Sequence, residues 1–340
     1  MKPASVGIVV LNWNGAPDTL ACLDSIRRLD YRHFTVYVVD NGSTDDSLDQ
    51  LNAYHKRYSF NLIETGANLG YAGGNNIGIR QALVDGADFI LLLNNDTVVS
   101  PDLLDCFIEA THRFADAGVF SARVMYSDAP ETVWFDGARW NERELKIEWP
   151  GQGCLEGSLA STDHETDYAS GAALFFRAQV AREIGLLDES FFLVWEEVDW
   201  CFRARASGWR IVVVPKAKVW HKIGASFGSE SSPLRTYFST RNQLLWFRRH
   251  ASLIARIRLL ARTFCRLIPR FSLGNADAFL YKRLVWALKD YVQAWFGRGS
   301  RHIYLAARRA ILDHFSGRYG DCPEEVRVWS RLWSTKRSNG

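Results

Sequence analysis

The alternation of strand and helix signals in the first hundred residues restricts the fold more than any other feature. Continuous apolar runs at residues 6–11, 36–39 and 89–93 are typical of strands that are covered on both faces. Helical patterns separate these runs, one starting at Pro17 and another near Gly73. This order predicts an α/β domain with a mainly parallel sheet and helices on both faces.

Polar clusters follow three of the predicted strands. The carboxyl ends of parallel strands meet at one edge of a sheet, and ligands of such sheets bind at that edge. We therefore expect these clusters to lie together at a ligand site. They are Asn12 with Asn14, Asp40, and Asn94-Asn95-Asp96.

A second acidic cluster lies in an apolar and aromatic stretch, residues 191–200. Its members are Glu196, Glu197 and Asp199. Carboxylates in such surroundings lose solvation, which is unfavourable unless a ligand or a reaction uses them. Together with Asp96 at the exit of a buried strand, they predict a metal ligand and a base that share one crevice.

Each of these acids also has a structural interpretation. Glu196 and Glu197 could form the acidic first turn of a helix, where negative charge is favourable. Asp96 could cap a helix that begins near Pro101. Asp40 could belong to a simple Asx-type turn.

The chain is long enough for two domains and its charge is unevenly distributed. Residues 1–232 carry 20 basic and 32 acidic side chains, whereas residues 233–340 carry 21 basic and 6 acidic ones. We expect a domain over 1–232, with halves 1–100 and 101–232, and a basic helical region over 233–340. The six scattered cysteines indicate a reduced protein, and neither a signal peptide nor a spanning segment is expected.

Taken together, the motifs resemble family 2 glycosyltransferases of the GT-A fold, in particular the rhamnosyltransferase-like branch. The resemblance covers about residues 5 to 250, and its motifs occur in the family's order. They are Val9–Gly15, Val38–Asp45, Asn68–Gly78, Leu91–Asp96, Ser170–Arg177, Phe191–Arg203 and Val219–His221.

The resemblance implies roles for individual residues. Asp96, with His221, would hold a divalent cation, Mg²⁺ or Mn²⁺, on the diphosphate of a dTDP- or UDP-sugar, with rhamnose as the first guess. Glu197 would be the base of an inverting transfer, with Glu196 and Asp199 beside it. The acceptor, a growing and lipid-linked cell-surface glycan, would contact Gly171, Trp195 and Arg203. The donor would be bound by Asn12, Asn14, Asp40, Asn68, Asn75 and Asn95.

The sequence departs from the family's pattern at two places. Asn94 and Asn95 replace the first two positions of the Asp-x-Asp metal motif, and Glu196-Glu197 replaces the usual Glu-Asp. The choice between the two glutamates as base therefore stays open. Two other functions remain as alternatives: a sugar-nucleotide pyrophosphorylase, and a non-catalytic scaffold of the same fold that binds glycan or lipid.

The basic C-terminal region contains an amphipathic helix with an arginine stripe. Arg258, Arg262, Arg266 and Arg270 recur every four residues beside an apolar face. We expect residues 250–270 to contact an anionic membrane surface, which implies a cytoplasmic enzyme attached peripherally to the inner face of the cell membrane. A plain helical subdomain and an oligomer interface are the alternatives, and nucleic-acid binding is not expected.

Overall fold

The structure, a computed structural model, describes residues 3–223, 232–267 and 300–335. The chain divides into two compact units, Met1–Ile223 and Gly224–Gly340. The domain boundary predicted from the sequence, between residues 232 and 233, lies a few residues beyond this division.

The first unit has an α/β order, as the sequence predicts. Its strands are β1 (Val6–Asn12), β2 (Phe34–Asp40), β3 (Asn61–Glu64), β4 (Phe89–Asn94), β5 (Thr97–Val99), β6 (Ala117–Tyr126), β7 (Val133–Phe135), β8 (Arg139–Asn141), β9 (Lys146–Glu148), β10 (His164–Glu165), β11 (Ala173–Arg177) and β12 (Arg210–His221). Its helices are α1 (Ala16–Ile26), α2 (Ser47–His55), α3 (Gly70–Val84), α4 (Leu103–Arg113), α5 (Ala178–Ile184) and α6 (Glu196–Ala206).

The main sheet has ten strands, eight of them in the order β10-β12-β6-β11-β4-β1-β2-β3. Strands β3, β2, β1 and β4 are parallel, whereas β11 is antiparallel to both of its neighbours. The parallel register aligns Asn12 with Asp40, so these two strands end side by side. The predicted polar edge of the sheet is therefore present.

Strand β12 pairs with three strands, β10, β6 and β5, along its length. It is parallel to β6, and a bulge between Val214 and Lys218, around Pro215, interrupts this ladder. Proline in a buried strand is tolerated at such bulges because it cannot donate a ladder hydrogen bond. Beyond the bulge β12 also pairs with β5, so that His221 lies opposite Thr97.

The segment between β6 and β11 forms a small insertion on the sheet, residues 127–172, with its own hairpin of β8 and β9. A buried ion pair ties it down, because Arg123 donates two 2.8 Å hydrogen bonds to the carboxylate of Asp136. Arg123 also donates to the carbonyl of Ala160, at 2.6 Å. Two parallel charged hydrogen bonds fix the geometry as well as the distance.

The described part of the second unit is helical, as predicted. Its helices are α7 (Pro233–His250), α8 (Leu253–Leu267), α9 (Ser300–Phe315) and α10 (Glu324–Thr335). Helix α7 begins with Ser232, whose hydroxyl accepts from the backbone N–H of Arg235. It is tied to α9 by Tyr237, which donates a 2.7 Å hydrogen bond to Asp313. No helix among the described residues is both long enough and apolar enough to cross a bilayer.

Candidate active site

A strained loop leads into α6 and fixes the position of its acidic first turn. Phe192, Val194 and Trp195 have φ angles of 62°, 70° and 80°. A positive φ is unfavourable for bulky residues and most of all for a β-branched one, so the surrounding contacts must hold this backbone in place. The carbonyl of Phe192 accepts a 3.3 Å hydrogen bond from the backbone of Ala72 at the start of α3. Glycine is required at position 70, since a Cβ there would lie 2.4 Å from this carbonyl oxygen.

Glu196 and Glu197 are two neighbouring carboxyl groups with little access to water. Glu196 is only 3% exposed. Atom Oε2 of each glutamate is buried and makes no hydrogen bond. Burial raises the pKa of Glu196 well above its ordinary value, and the charge of Glu197 raises it further. Burial also raises the pKa of Glu197. A carboxyl group with a raised pKa is a better proton acceptor than an ordinary glutamate.

The two glutamates differ in how well their surroundings tolerate negative charge. Backbone N–H groups around the start of α6, including those of Trp195 and Val198, lower the pKa of Glu197 and partly offset its burial. For Glu196, only its own backbone N–H lowers the pKa. The backbone N–H groups at the start of α6 therefore favour negative charge on Glu197 more than on Glu196.

Asp199 and Arg203 form an ion pair within α6. Asp199 is fully buried and accepts a 2.9 Å hydrogen bond from Arg203. The same guanidinium donates to the carbonyls of Ile184 and Leu186, at 2.6 and 2.7 Å. These two carbonyls belong to the segment that precedes α6. The pair therefore anchors the helix that carries the glutamates.

Asp96 and His221 lie together, as the metal prediction requires. Asp96 is in the turn between β4 and β5, and its Oδ1 is 3.0 Å from His221 Nε2. The pairing of β5 with β12 places the histidine there, and the N–H of Lys222 donates to the Asp96 carbonyl at 3.0 Å. Asp96 does not cap a helix, because α4 begins at Leu103 with Asp102 at its N-cap.

The side chains around Asp96 fit a divalent cation. The oxygens Asp96 Oδ1 and Asn94 Oδ1 are buried and make no well-directed hydrogen bond. Asp96 and His221, whose Oδ1 and Nε2 atoms lie 3.0 Å apart, would hold such a cation. The described residues contain no cluster of three or more His, Cys, Asp or Glu side chains that could hold a metal ion. Water and a ligand's phosphate oxygens would have to complete the coordination shell, as is common for Mg²⁺.

Tyr71 links this pair to the glutamates and was not singled out from the sequence. Its hydroxyl donates a 2.8 Å hydrogen bond to the carbonyl of Gly171. Burial raises the pKa of Tyr71 well above its ordinary value, and the charges of Glu196, Glu197 and Asp96 raise it further. The charges of all three acids therefore act on one phenol. The signal that could have identified Tyr71 is its position in the segment Asn68–Gly78, which is rich in glycine and asparagine.

Gly171 and Trp195, both predicted to contact the acceptor, lie next to the glutamates. A Cβ on Gly171 would be 3.6 Å from Cγ of Glu197 and 3.2 Å from the hydroxyl of Tyr71. Trp195 is half-buried and is the N-cap residue of α6. A methyl group at position 171 would thus crowd the hydroxyl of Tyr71 and lie in ordinary van der Waals contact with Glu197.

The predicted donor residues at the ends of β1 and β2 are bound to each other. Asn12 is fully buried, donates to Asp40 at 2.8 Å and accepts from Thr19 at 2.7 Å. Asp40 also accepts from the backbone and hydroxyl of Ser43, at 3.0 and 2.6 Å, in an Asx-type turn. Asn14 accepts a 2.7 Å hydrogen bond from the backbone of Thr44. Asn12 therefore supports Asp40 and does not line a donor site itself.

The Gly- and Asn-rich segment is held by amide side chains. Asn68 accepts from the N–H of Gly70 at 2.8 Å, and Asn75 is buried and donates to the Tyr71 carbonyl at 2.9 Å. Asn41, which the sequence analysis also left unassigned, donates to Gly70 and accepts from Leu69. The remaining predicted donor residue, Asn95, donates to the hydroxyl of Thr19 at 3.0 Å. These amides fix the loops at the carboxyl edge of the sheet.

Comparison with known proteins agrees with this arrangement. Residues 5–183 match glycosyl transferase family 2. The low-salt glycan biosynthesis hexosyltransferase Agl10 of Haloferax volcanii is 28% identical over 61% of this chain, which spans 65% of its length. N-acetylglucosaminyl-diphospho-decaprenol L-rhamnosyltransferase of Mycobacterium tuberculosis is 26% identical over 66% of this chain and 78% of its own. The dTDP-rhamnosyl transferase RfbF of Shigella flexneri is 26% identical over 75% of this chain and 84% of its own.

The fold is shared with a solved glycosyltransferase. The mannosyltransferase PcManGT of Pyrobaculum calidifontis, solved in complex with GDP-Man and Mn²⁺, superposes with a TM-score of 0.55 at 15% identity. The similarity covers 92% of this chain and 88% of that one. Since the family match extends over more than half of the sequence, the chain belongs to glycosyl transferase family 2, and its first unit has the GT-A fold of these enzymes.

Proposed function

We propose that this protein transfers a sugar, with inversion, from a nucleoside diphosphate sugar to a hydroxyl group of a glycan. The observation that carries the proposal is the buried Glu196–Glu197 pair, which Gly171 links to Tyr71 and whose charges act on that phenol together with the charge of Asp96. A base and a cation-binding carboxylate in one site suit a reaction between an acceptor hydroxyl and a sugar diphosphate.

In the proposed reaction, Glu197 takes the proton from the acceptor hydroxyl. The acceptor oxygen forms a bond to the anomeric carbon from the face opposite the diphosphate. The bond from that carbon to the diphosphate oxygen breaks, and the nucleoside diphosphate leaves with the bonding electrons. Glu196 stays protonated and leaves the negative charge to Glu197. Asp96 and His221 would hold a divalent cation, whose positive charge stabilises the leaving diphosphate when it is bound.

For the donor we propose a dTDP- or UDP-sugar, with rhamnose as the first sugar to test. Two relatives are described as rhamnosyltransferases, one of them for dTDP-rhamnose, which supports this choice. A lipid-linked diphosphate glycan is the proposed acceptor, since one of the same relatives acts on a diphospho-decaprenol. Asp40, Asn68 and Asn75 would contact the donor, in line with their place at the carboxyl edge of the sheet.

A panel of nucleotide sugars tests the donor. Each is added with Mn²⁺ to the wild-type protein and to Asp96→Ala, and both the melting temperature and the release of nucleoside diphosphate are measured. We expect one donor to raise the melting temperature of the wild type and to be turned over only with the cation. A donor that binds without any turnover, with or without added glycans, would instead favour a non-catalytic scaffold.

We also propose that α8 attaches the protein to an anionic membrane surface on the cytoplasmic side. Four apolar side chains of this helix are exposed, with Leu253 and Ile254 each 71% accessible. The helix contains no acidic residue, and Arg258 is exposed on it. An apolar stripe beside arginines suits the interface of a bilayer with anionic headgroups. Arg262 and Arg266 belong to α8, but their side chains lie outside the described residues, as does the whole of Arg270.

Vesicle sedimentation tests this attachment. Ile254→Glu with Ile257→Glu should release the protein from phosphatidylglycerol vesicles, whereas Leu312→Glu, on exposed Leu312 of α9, is the control. Charge reversal of Arg258, Arg262, Arg266 and Arg270 should have the same effect as the double variant. Unchanged sedimentation of both would refute membrane contact, and a simultaneous change in oligomeric mass would assign the helix to a subunit interface.

A further inference from the structure

An exposed tryptophan and a buried tyrosine form a pair beside the candidate base. Trp149 is 46% exposed, and its indole N–H donates a 2.6 Å hydrogen bond to the hydroxyl of Tyr168. Tyr168 is only 6% exposed and packs at 5.4 Å against the ring of Phe135. The indole is therefore held in one orientation while much of its surface stays accessible to water.

The segment that carries Tyr168 runs along the same face of α6 as Glu197. The backbone N–H of Ala169 donates to Sγ of Cys201 at 3.4 Å, and Gly171 lies against Cγ of Glu197. Glu197 and Cys201 are four residues apart, so they are neighbours on one helix face, separated by one turn of about 5.4 Å. Tyr168 therefore lies about one helical turn from the base.

The hydroxyl of Tyr168 has a hydrogen-bond donor to spare. It accepts from Trp149, and none of the described residues accepts a hydrogen bond from it. A tyrosine hydroxyl is both donor and acceptor, and a buried donor without a partner is unfavourable. Burial raises the pKa of Tyr168 and the charge of Glu197 raises it further, so the phenol stays protonated and able to donate.

We propose that Trp149 and Tyr168 form an acceptor subsite that binds a sugar ring next to the acceptor hydroxyl that Glu197 deprotonates. The indole face of Trp149 stacks on the apolar face of the ring, and the hydroxyl of Tyr168 donates to one of its oxygens. Because Tyr168 holds the indole in one orientation, the pair would select the orientation in which the sugar ring binds. This inference depends on the proposed function and adds the acceptor side to it.

Kinetics with sugar acceptors test the subsite. The p-nitrophenyl glycosides of N-acetylglucosamine, rhamnose, glucose and galactose serve as acceptors with the donor that the panel selects. Trp149→Ala should raise the acceptor KM roughly tenfold, with the donor KM and the acceptor-free release of nucleoside diphosphate unchanged. Tyr168→Phe should raise the acceptor KM less, and Trp149→Phe should restore part of the affinity.

Leu155→Ala is the matched control, because Leu155 is a 61% exposed apolar residue of the same insertion. An unchanged acceptor KM in Trp149→Ala would overturn the subsite and leave the proposed function intact. A wild-type protein that uses none of the four glycosides but still hydrolyses the donor would also overturn it. Absence of both donor hydrolysis and transfer would instead refute the proposed function.

Discussion

The hydroxyl of Tyr71 donates a 2.8 Å hydrogen bond to the carbonyl of Gly171, and this bond joins the two sides of the candidate site. Tyr71 belongs to the Gly- and Asn-rich segment at the start of α3, whereas Gly171 lies against Glu197. The bond thus connects the start of α3, on the proposed donor side, to Gly171, which lies next to the proposed base Glu197.

Tyr71→Phe tests this connection. Removal of the hydroxyl leaves the Gly171 carbonyl without this partner, which should lower the free energy of unfolding by about 1–3 kcal/mol. Since Gly171 would then be free to shift against Glu197, we also expect kcat to fall about tenfold. Tyr37→Phe is the control, because Tyr37 makes a 2.7 Å hydrogen bond to Asp85 away from the glutamates. Equal kcat values in the two variants would show that the Tyr71 bond is only structural.

The variants Glu197→Gln and Glu196→Gln should show which of the two glutamates is the base. The amide cannot accept the acceptor's proton, so transfer should fall by about 10² to 10⁴, while donor binding, measured by thermal shift, is retained. Glu196→Gln should lower transfer much less, because the raised pKa of Glu196 favours its neutral form, which the amide resembles. A larger loss of transfer in Glu196→Gln than in Glu197→Gln would assign the base role to Glu196.

The stability of Glu196→Gln should depend on pH in a defined direction. The pKa of Glu196 is raised in the folded protein, so the folded state binds more protons than the unfolded chain between the ordinary and the raised value. Stability of the wild type therefore falls as pH rises through that window, and the loss persists above it. The glutamine variant lacks this loss and should be more stable at pH 8, with the difference vanishing at about pH 4. Urea denaturation at the two pH values measures this, and a less stable variant at pH 8 would contradict it.

Asp96→Asn should abolish the response to divalent cations. The substitution removes the only carboxylate of the Asn94–Asp96 segment, so Mn²⁺ should no longer raise the melting temperature in the presence of UDP. EDTA should stop transfer by the wild type. His221→Gln should weaken the response to Mn²⁺, whereas His112→Gln, on exposed His112, should leave it unchanged. A normal response to Mn²⁺ in Asp96→Asn would remove this residue from the cation site.

Arg203→Met should destabilise the protein strongly without altering the groups that react. It leaves the fully buried Asp199 without its ion-pair partner, which costs about 3–5 kcal/mol. Arg203→Lys should recover only part of this, since one ammonium cannot bond the carboxylate and two carbonyls in the planar geometry of arginine. Arg80→Ala breaks an exposed pair with Glu189 and should cost less than about 1 kcal/mol. Urea denaturation of the three variants makes the comparison.

Much of the first unit could be predicted because its signals are local. The apolar runs of β1, β2 and β4 and the polar residues after them, such as Asp40 and Asp96, follow from the burial of a parallel sheet. Helix α6 begins at Glu196, as the acidic run indicates. Helix α3 begins at Gly70 instead of near Gly73, because the side chain of Asn68 accepts the N–H of Gly70 and allows an earlier start.

Other parts of the site depend on contacts that a linear pattern does not contain. His221 reaches Asp96 only because β12 changes partner after the bulge around Pro215. The strain in the backbone before α6 comes from packing against α3. The residue types at positions 192–195 do not predict it, because none of them is a glycine or an asparagine. The pairing of Asp199 with Arg203 could have been predicted from the sequence, since a spacing of four residues on a helix favours such an ion pair.

The close approach of Gly70 to Phe192 has a consequence for how the enzyme can diversify. The loop that leads into α6 rests directly on the first residue of α3, with no room for even one methyl group between them. A substitution that enlarges the start of α3 would therefore displace this loop and, with it, Glu196 and Glu197. Under the proposed function, an adaptation to a new donor sugar at this contact would thus also alter the position of the acids that receive the acceptor.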